Sequence, residues 1–281
     1  MKKTLLKVVA VLGLSCGFVT GCKKSDTTIT VCASQTPHAE VLENAMAPVL
    51  KQKGYTLKVT VLDWSLQNDA VYNGDYDANY FQHRPYLQSY DSGTANYSDS
   101  YTYTKVFPTA AVHFEPLRIY AGKSTAADFQ SKKALSTTTY EICNDPSNAL
   151  RALDLLVANG VIASYEKDEK GNPSNVPANI HLIAEEQLVA SKPDYDYALL
   201  PCNTALTGHL TADTTLPVES DTVADAKANV IAANVSKYQK DSAYKKKIDA
   251  LSDAALSSAV ASYLLETYKG VIETYQKDLR A

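Results

Sequence analysis

The stretch TITVCASQTPHAEVLENAMAPVLKQKGYTLKVTVL, Thr28 to Leu62, decides the fold. Thr28 to Ala33 is a short β-branched and apolar run, a strand candidate, and Ser34-Gln35-Thr36-Pro37 is the polar turn after it. Ala39, Leu42, Ala45 and Leu50 then recur near helical spacing until Gly54 stops them. Leu57 to Leu62 alternates as a second strand, and Ser65 to Tyr72 reads as a second, short helix. This β-α-β-α opening predicts a parallel sheet with helices on its faces. The pattern returns downstream, with strands predicted at Ser136 to Cys143, Ile180 to Ile183 and Tyr197 to Leu200. Helices are predicted at Ala149 to Asn159 and Glu185 to Ala190, and a hairpin at Glu166 to Pro173. Between the two blocks, Val106 to Tyr120 is β-rich and long enough to pass from one lobe to another. Lys237 to Tyr268 is helical and amphipathic, and returns to the first lobe, while the Tyr- and Ser-rich Tyr90 to Tyr103 is a surface loop. The class that follows is α/β, with two lobes and a cleft between them.

The start of the chain is an address. Lys2, Lys3 and Lys7 precede an apolar run, Val8 to Leu14, and the segment closes on Val19-Thr20-Gly21-Cys22. That order is a secretory signal, too short for a spanning helix. Small residues directly before a cysteine resemble the bacterial lipobox, in which the thiol is acylated and Cys22 becomes the new N-terminus. Acyl chains there anchor an extracytoplasmic protein to the membrane. Residues 1–21 are thus the signal, and 22–28 the lipidated cysteine and its linker.

Of 281 residues, 45% are hydrophobic and 21% charged, ordinary globular values. The chain carries −4 in all; the first 21 residues hold three lysines and no acid, so the rest carries −7. A body of that sign repels phosphate backbones, which sets nucleic acid aside. With Cys16 and Cys22 accounted for, Cys32, Cys143 and Cys202 remain, each ending an apolar run and read as small buried residues. No His-x-x-x-His spacing and no Gly-x-Ser-x-Gly elbow is present, so neither a metal cofactor nor an enzyme is expected.

Arginine is scarce: Arg84, Arg118, Arg151 and Arg280 are the four. Arg151 belongs to Cys143-Asn144-Asp145-Pro146-Ser147-Asn148-Ala149-Leu150-Arg151, a strand-to-helix junction with Asp145 or Ser147 as N-cap. Asn148 and Arg151 share one helical face, where a carboxylate can take two bonds from the planar guanidinium and one from the amide. An incidental arginine on a capped surface helix is an equal reading of the same residues. Asp75 to Leu87 gathers Tyr80, Phe81, His83 and Tyr86, rings suited to wall an apolar pocket, with Gln82 as a polar handle. Asn203 and Asn229 offer amides that both donate and accept, as a zwitterion requires, though each alone is more often a turn residue.

In order, the lipobox, "TPHAEVLE", "DYDANYFQHRPYL", "HFEPLRIYAGK", "CNDPSNALRALDLLVANGVI", "DYALLPCNTAL" and "ETYKGVI" resemble the NlpA/MetQ family, the substrate-binding lipoproteins of methionine ABC importers. The resemblance covers nearly the whole chain after the signal. It implies a two-lobed periplasmic-binding-protein-like fold of type II, with residues 29–113 and 219–281 in lobe I and 114–218 in lobe II. It implies that Arg151 and Asn148 hold a ligand carboxylate, that Asn203 and Asn229 complete recognition of the backbone atoms, and that Trp64, Phe81, His83 and Tyr86 surround a thioether. The implied ligand is L-methionine, with D-methionine, a methionine-containing dipeptide or a metal ion as alternatives. The implied partners are the permease and ATPase subunits of an ABC importer, the receptor itself being a monomer. Departures from the family pattern are Trp64 for a tyrosine, Cys143 for a proline, Cys32 and Thr36 for glycines, and Glu273 at the end of the Val-Ile motif.

Overall fold

The computed structural model describes residues 27–280, so the signal and Cys22 lie outside the described residues. The described residues hold twelve strands: β1 (Thr28–Ala33), β2 (Thr56–Val61), β3 (Ala78–His83), β4 (Val106–Phe114), β5 (Arg118–Ala121), β6 (Tyr140–Cys143), β7 (Glu166–Lys167), β8 (Pro173–Ser174), β9 (Ile180–Ile183), β10 (Tyr197–Leu200), β11 (Asn229–Asn234) and β12 (Glu273–Asp278). They form a six-stranded sheet ordered β12-β4-β11-β3-β1-β2, a four-stranded sheet ordered β5-β10-β6-β9, and the small β7-β8 hairpin. The opening unit is as the alternation requires: β1 pairs in parallel with β2 and with β3. The helical segment between β1 and β2 is not a uniform α-helix. It winds in wide π-type turns over Gln35–Ala39 and Leu42–Met46 before the α-helix Ala47–Gln52, with Thr36 in extended geometry inside it.

Each sheet has its own core. Ile29, Val31, Leu42, Met46, Leu50, Tyr80, Val112 and Leu251 are buried together on one face of the larger sheet. Cys32, Val71, Leu87 and Val230 fill its other face. Leu117, Ile119, Phe129, Tyr140, Ile142, Leu153, Leu156 and Tyr197 form the core of the smaller sheet against the helix Pro146–Ala158. At ~25 cal/mol per Å² removed from water, such side chains contribute about 1.5–3 kcal/mol each, and they hold the two bodies separately.

The chain crosses between the sheets twice. The β-rich run Val106 to Tyr120 passes from one sheet to the other: β4 ends at Phe114 in the larger sheet, Glu115-Pro116-Leu117 intervenes, and β5 enters the smaller one. The return runs alongside it, with a bridge between Arg118 and Val218. Ile119 N–H donates to the Pro217 carbonyl (3.0 Å), and Glu219 N–H to that of Leu117 (2.8 Å). The helices Val235–Lys240, Ser242–Ala255 and Ser258–Thr267 close over the larger sheet, and β12 then adds its last strand, antiparallel to β4. The three cysteines Cys32, Cys143 and Cys202 are free and buried. No helix of the described residues is long and apolar enough to cross a membrane.

Candidate ligand site

A partly open cavity lies between the sheets. Trp64, Phe81, His83, Tyr86, Asn148, Arg151, Asn203 and Asn229, the eight residues singled out in the sequence, all line it. Ser34, Gln82, Glu115, Glu185 and Pro201 complete the wall.

The aromatic side is built by β3 and the two helices beside it. Asp63 caps the helix Trp64–Asn73 by accepting from Ser65 N–H (2.9 Å), which fixes Trp64 at its first turn. His83 caps Arg84–Ser92 through Nδ1, which accepts from Tyr86 N–H at 3.2 Å. Tyr86 meets Trp64 edge to face at 5.5 Å between centroids and Phe81 likewise at 5.7 Å. Because Nδ1 is an acceptor, the neutral His83 ring carries its proton on Nε2 and donates it to Asn148 Oδ1 (3.0 Å) across the cleft. Burial drives His83 down to about 3, helped by the nearby positive charges of Lys227 and Arg151, so this ring is neutral at physiological pH. Gln82 is not a free handle: its amide exchanges two hydrogen bonds with Asn68 (2.8 and 2.7 Å) and donates to Asn79.

The polar side agrees with expectation at the helix cap and differs from it at Arg151. Asp145 itself occupies the start of Pro146–Ala158, accepting from Asn148 N–H (2.9 Å) and Ser147 Oγ (2.7 Å), so that end is not open to an outside anion. The bidentate grip of Arg151 is also spent within the protein. Its Nε donates to Glu219 at 2.8 and 2.7 Å, and Nη2 donates to Glu219 and to the Glu115 carbonyl. What remains for the cavity is Nη1. Arg151 is 3% exposed and Glu219 9%, so the pair is a buried one that ties the helix to the returning crossover. Asn203 lies in the short helix Cys202–Thr207, just past β10.

Sequence reasoning missed Glu115. It sits in the first crossover, 3% exposed, where Oε2 accepts from Asn203 N–H (3.0 Å) and Oε1 from His113 Nε2 (2.7 Å). Burial pushes its carboxyl up, but the His113 hydrogen bond and the neighbouring His38 and Asn203 N–H outweigh this and hold it below the ordinary value. Glu115 is therefore an anion in the wall. The available signal was the alternation His113-Phe114-Glu115, which places both polar residues on one face of a strand end. His38, His113 and Glu115 lie within 4.8 Å of one another, close enough to consider a metal, but the facing nitrogens are engaged in hydrogen bonds. Glu185 also lines the cavity; burial raises it to about 7 despite the hydrogen bond from Thr204 Oγ1 (2.9 Å).

Two α/β bodies joined by two crossovers, with a cavity between them walled by rings, amides and opposite charges, define a substrate-binding protein of the periplasmic-binding-protein type. Residues 29–274 match the model of the NlpA lipoprotein family, and the chain belongs to that family. It is 32% identical over 281 residues to the methionine-binding lipoprotein MetQ of Bacillus subtilis strain 168, covering 95% of each chain. Among solved structures, lipoprotein Tp32 of Treponema pallidum is similar with a TM-score of 0.71 at 26% identity, over 89% of this chain and 100% of that one. A nutrient-binding protein of Burkholderia cenocepacia bound to methionine gives a TM-score of 0.70 at 26% identity, over 88% and 99%.

Proposed function

We propose that the chain is an extracytoplasmic receptor, lipid-anchored through Cys22, that binds L-methionine as a monomer and hands it to the permease and ATPase subunits of an ABC importer without altering it. One observation carries this reading: a single cavity sets an anion, Glu115, and a cation, Arg151, beside an aromatic wall. A free amino acid presents an ammonium, a carboxylate and a side chain, and each has a complementary surface here. In this reading Arg151 Nη1 and Asn148 take the carboxylate, Glu115 the ammonium, and Asn203 and Asn229 the remaining donors and acceptors. Trp64, Phe81, His83 and Tyr86 enclose the thioether, since sulfur against a ring edge gains about 0.3–1.5 kcal/mol. The two sheets are the cores of two lobes, residues 29–113 with 219–281 and residues 114–218, hinged at the paired crossovers. The methionine-binding relative and the methionine-bound neighbour support the ligand class.

A second reading, a methionine-containing dipeptide, has one observation in its favour. Trp64, Glu185 and Asn203 also line an adjoining open pocket, into which a longer ligand would extend. Calorimetry on protein unfolded and refolded to strip carried-over ligand, against L-methionine, D-methionine and methionine dipeptides, separates the two. Binding of none of them, with a different compound found by mass spectrometry in gently purified protein, overturns both.

A further inference from the structure

We infer that His38, backed by the His113–Tyr80 pair, is the positioning residue that sorts the cavity's polar wall into a donor side and an acceptor side. The inference rests on the reading of the ligand as a free amino acid. His38, His113 and Tyr80 are all 0% exposed and stack into one group beneath the cavity, with His38 edge-on to Tyr80 at 4.8 Å and Tyr80 edge-on to His113 at 5.5 Å. None of the three lines the cavity; each acts through a residue that does.

The protonation pattern follows from the partners. Tyr80 keeps its phenolic proton, because burial and the Glu115 charge raise its pKa, and its hydroxyl meets His113 Nδ1. That nitrogen is then the acceptor, so His113 carries its proton on Nε2 and donates it to Glu115 Oε1 at 2.7 Å. His38 is neutral, since burial lowers it to about 4. Its Nε2 faces two acceptors, Asn229 Oδ1 at 3.0 Å and Glu115 Oε1 at 3.4 Å, whereas Nδ1 has no partner. The neutral ring therefore carries its proton on Nε2 and donates it to Asn229 Oδ1, which places the same N–H dipole 3.4 Å from Glu115 Oε1.

This arrangement orients the wall. The Oδ1 of Asn229 is turned inward to His38, which leaves Nδ2, a donor, for a ligand oxygen. Oε1 of Glu115 accepts from His113 Nε2–H, with His38 Nε2 beside it at 3.4 Å, and Oε2 accepts from Asn203 N–H, so its remaining lone pairs are aimed at an ammonium. Without the His38 proton, the Asn229 amide is free to flip and present an acceptor where a carboxylate must go. A single buried ring thereby sets the sign of two neighbouring contacts.

The test compares L-methionine with its analogue lacking the amino group, 4-(methylthio)butanoate, by calorimetry on stripped protein. The ratio of their dissociation constants reports the ammonium–Glu115 contact alone. In His38→Leu the ratio of the analogue's dissociation constant to that of L-methionine is expected to fall by about threefold or more, the scale of one ordinary hydrogen bond. His38→Gln, which restores a donor near Nε2, recovers most of it. Tyr80→Phe deletes one hydroxyl and lowers the ratio by about threefold, which keeps the inference testable should His38→Leu fail to fold. Loss of the Asn229 orientation weakens both compounds, which share the carboxylate, so the ratio decides: a ratio unchanged in both His38→Leu and Tyr80→Phe overturns the two-sided positioning role. Absence of L-methionine binding by the unaltered protein instead overturns the ligand reading on which this one rests.

Discussion

Replacing Arg151 by lysine keeps the charge and removes the geometry. In the structure the guanidinium serves three masters at once: Glu219 on its Nε–Nη2 edge, the Glu115 carbonyl on Nη2, and the cavity on Nη1. A lysine ammonium is one point charge with three donors. If it stays with Glu219, Nη1 has no replacement at the cavity. If it turns to the cavity, Glu219 and the Glu115 carbonyl lose donors inside the protein, where Arg151 is 3% exposed and Glu219 9%. Truncating one side of a desolvated charge pair costs about 2–5 kcal/mol, or roughly 30-fold to a few thousand-fold in Kd for L-methionine.

Because the same pair braces the returning crossover, folding and binding must be read apart. Calorimetry gives the affinity, and a ligand-free melting curve gives the stability. Glu219→Gln is the control: it leaves Arg151 in place but unanchored, and is expected to weaken binding by about tenfold, less than the lysine variant. Should Arg151→Lys melt lower yet bind L-methionine within a factor of about three, the arginine is a brace for the hinge and its ligand role is refuted.

Phe81→Ala is expected to lose methionine binding while leucine changes little; an equal fall for both means the wall supplies shape and no sulfur contact. Glu141, 0% exposed, is raised by burial from 4.5 to about 7, with one carboxyl oxygen unpartnered. A folded value above the unfolded one means its stabilising contribution is complete below 4.5 and lost as pH rises through about 7. Glu141→Gln therefore gains stability over the unaltered protein as pH goes from 5 to 8, by up to about 2–3 kcal/mol in urea melts, and a pH-independent difference refutes it. Cys22→Ser is expected to move the protein from the membrane pellet to the soluble fraction on cell fractionation; retention in the pellet argues against the acyl anchor. Small-angle scattering of stripped protein is expected to show a smaller radius of gyration with L-methionine, and an unchanged radius at saturation refutes closure.

The sequence is most legible where one face is wet. The alternation at Leu57 to Leu62 reads as a strand because β2 is an edge strand with its exposed residues in sequence view. β3 and β11 hide for the opposite reason: all six residues of each are buried, so neither carries a period of two, and polar Asn79, Gln82 and Asn234 interrupt the apolar run. β12, Glu-Thr-Tyr-Gln-Lys-Asp, has no apolar face at all and is a strand only because β4 offers it an edge. Within the site, Asn148 and Arg151 are legible through a local device, the capped helix start. The partnership of Arg151 with Glu219 and of His38 with Glu115 depends on where two crossovers meet, and nothing local in the chain encodes it.

That meeting place has a mechanical consequence. Glu115 stands in the outgoing crossover and Glu219 in the returning one, and Arg151 is bonded to both segments. Segments at a hinge move least when lobes rotate about them. In the proposed reading, then, the polar end of the ligand is gripped by groups that hold nearly the same positions whether the cleft is open or closed. Contacts equal in both states shift no equilibrium, however tight they are. The free energy that closes the cleft must come from contacts made across it: the rings of Trp64, Phe81 and Tyr86 from one side, and Asn148, which already meets His83 at 3.0 Å, from the other. The side chain of the ligand, together with the carboxylate contact of Asn148, is what an importer would sense through closure. An amino acid with a short side chain would keep the carboxylate contact and lose the ring contacts, so it would occupy the polar site yet close the lobes less fully, which separates occupancy from delivery.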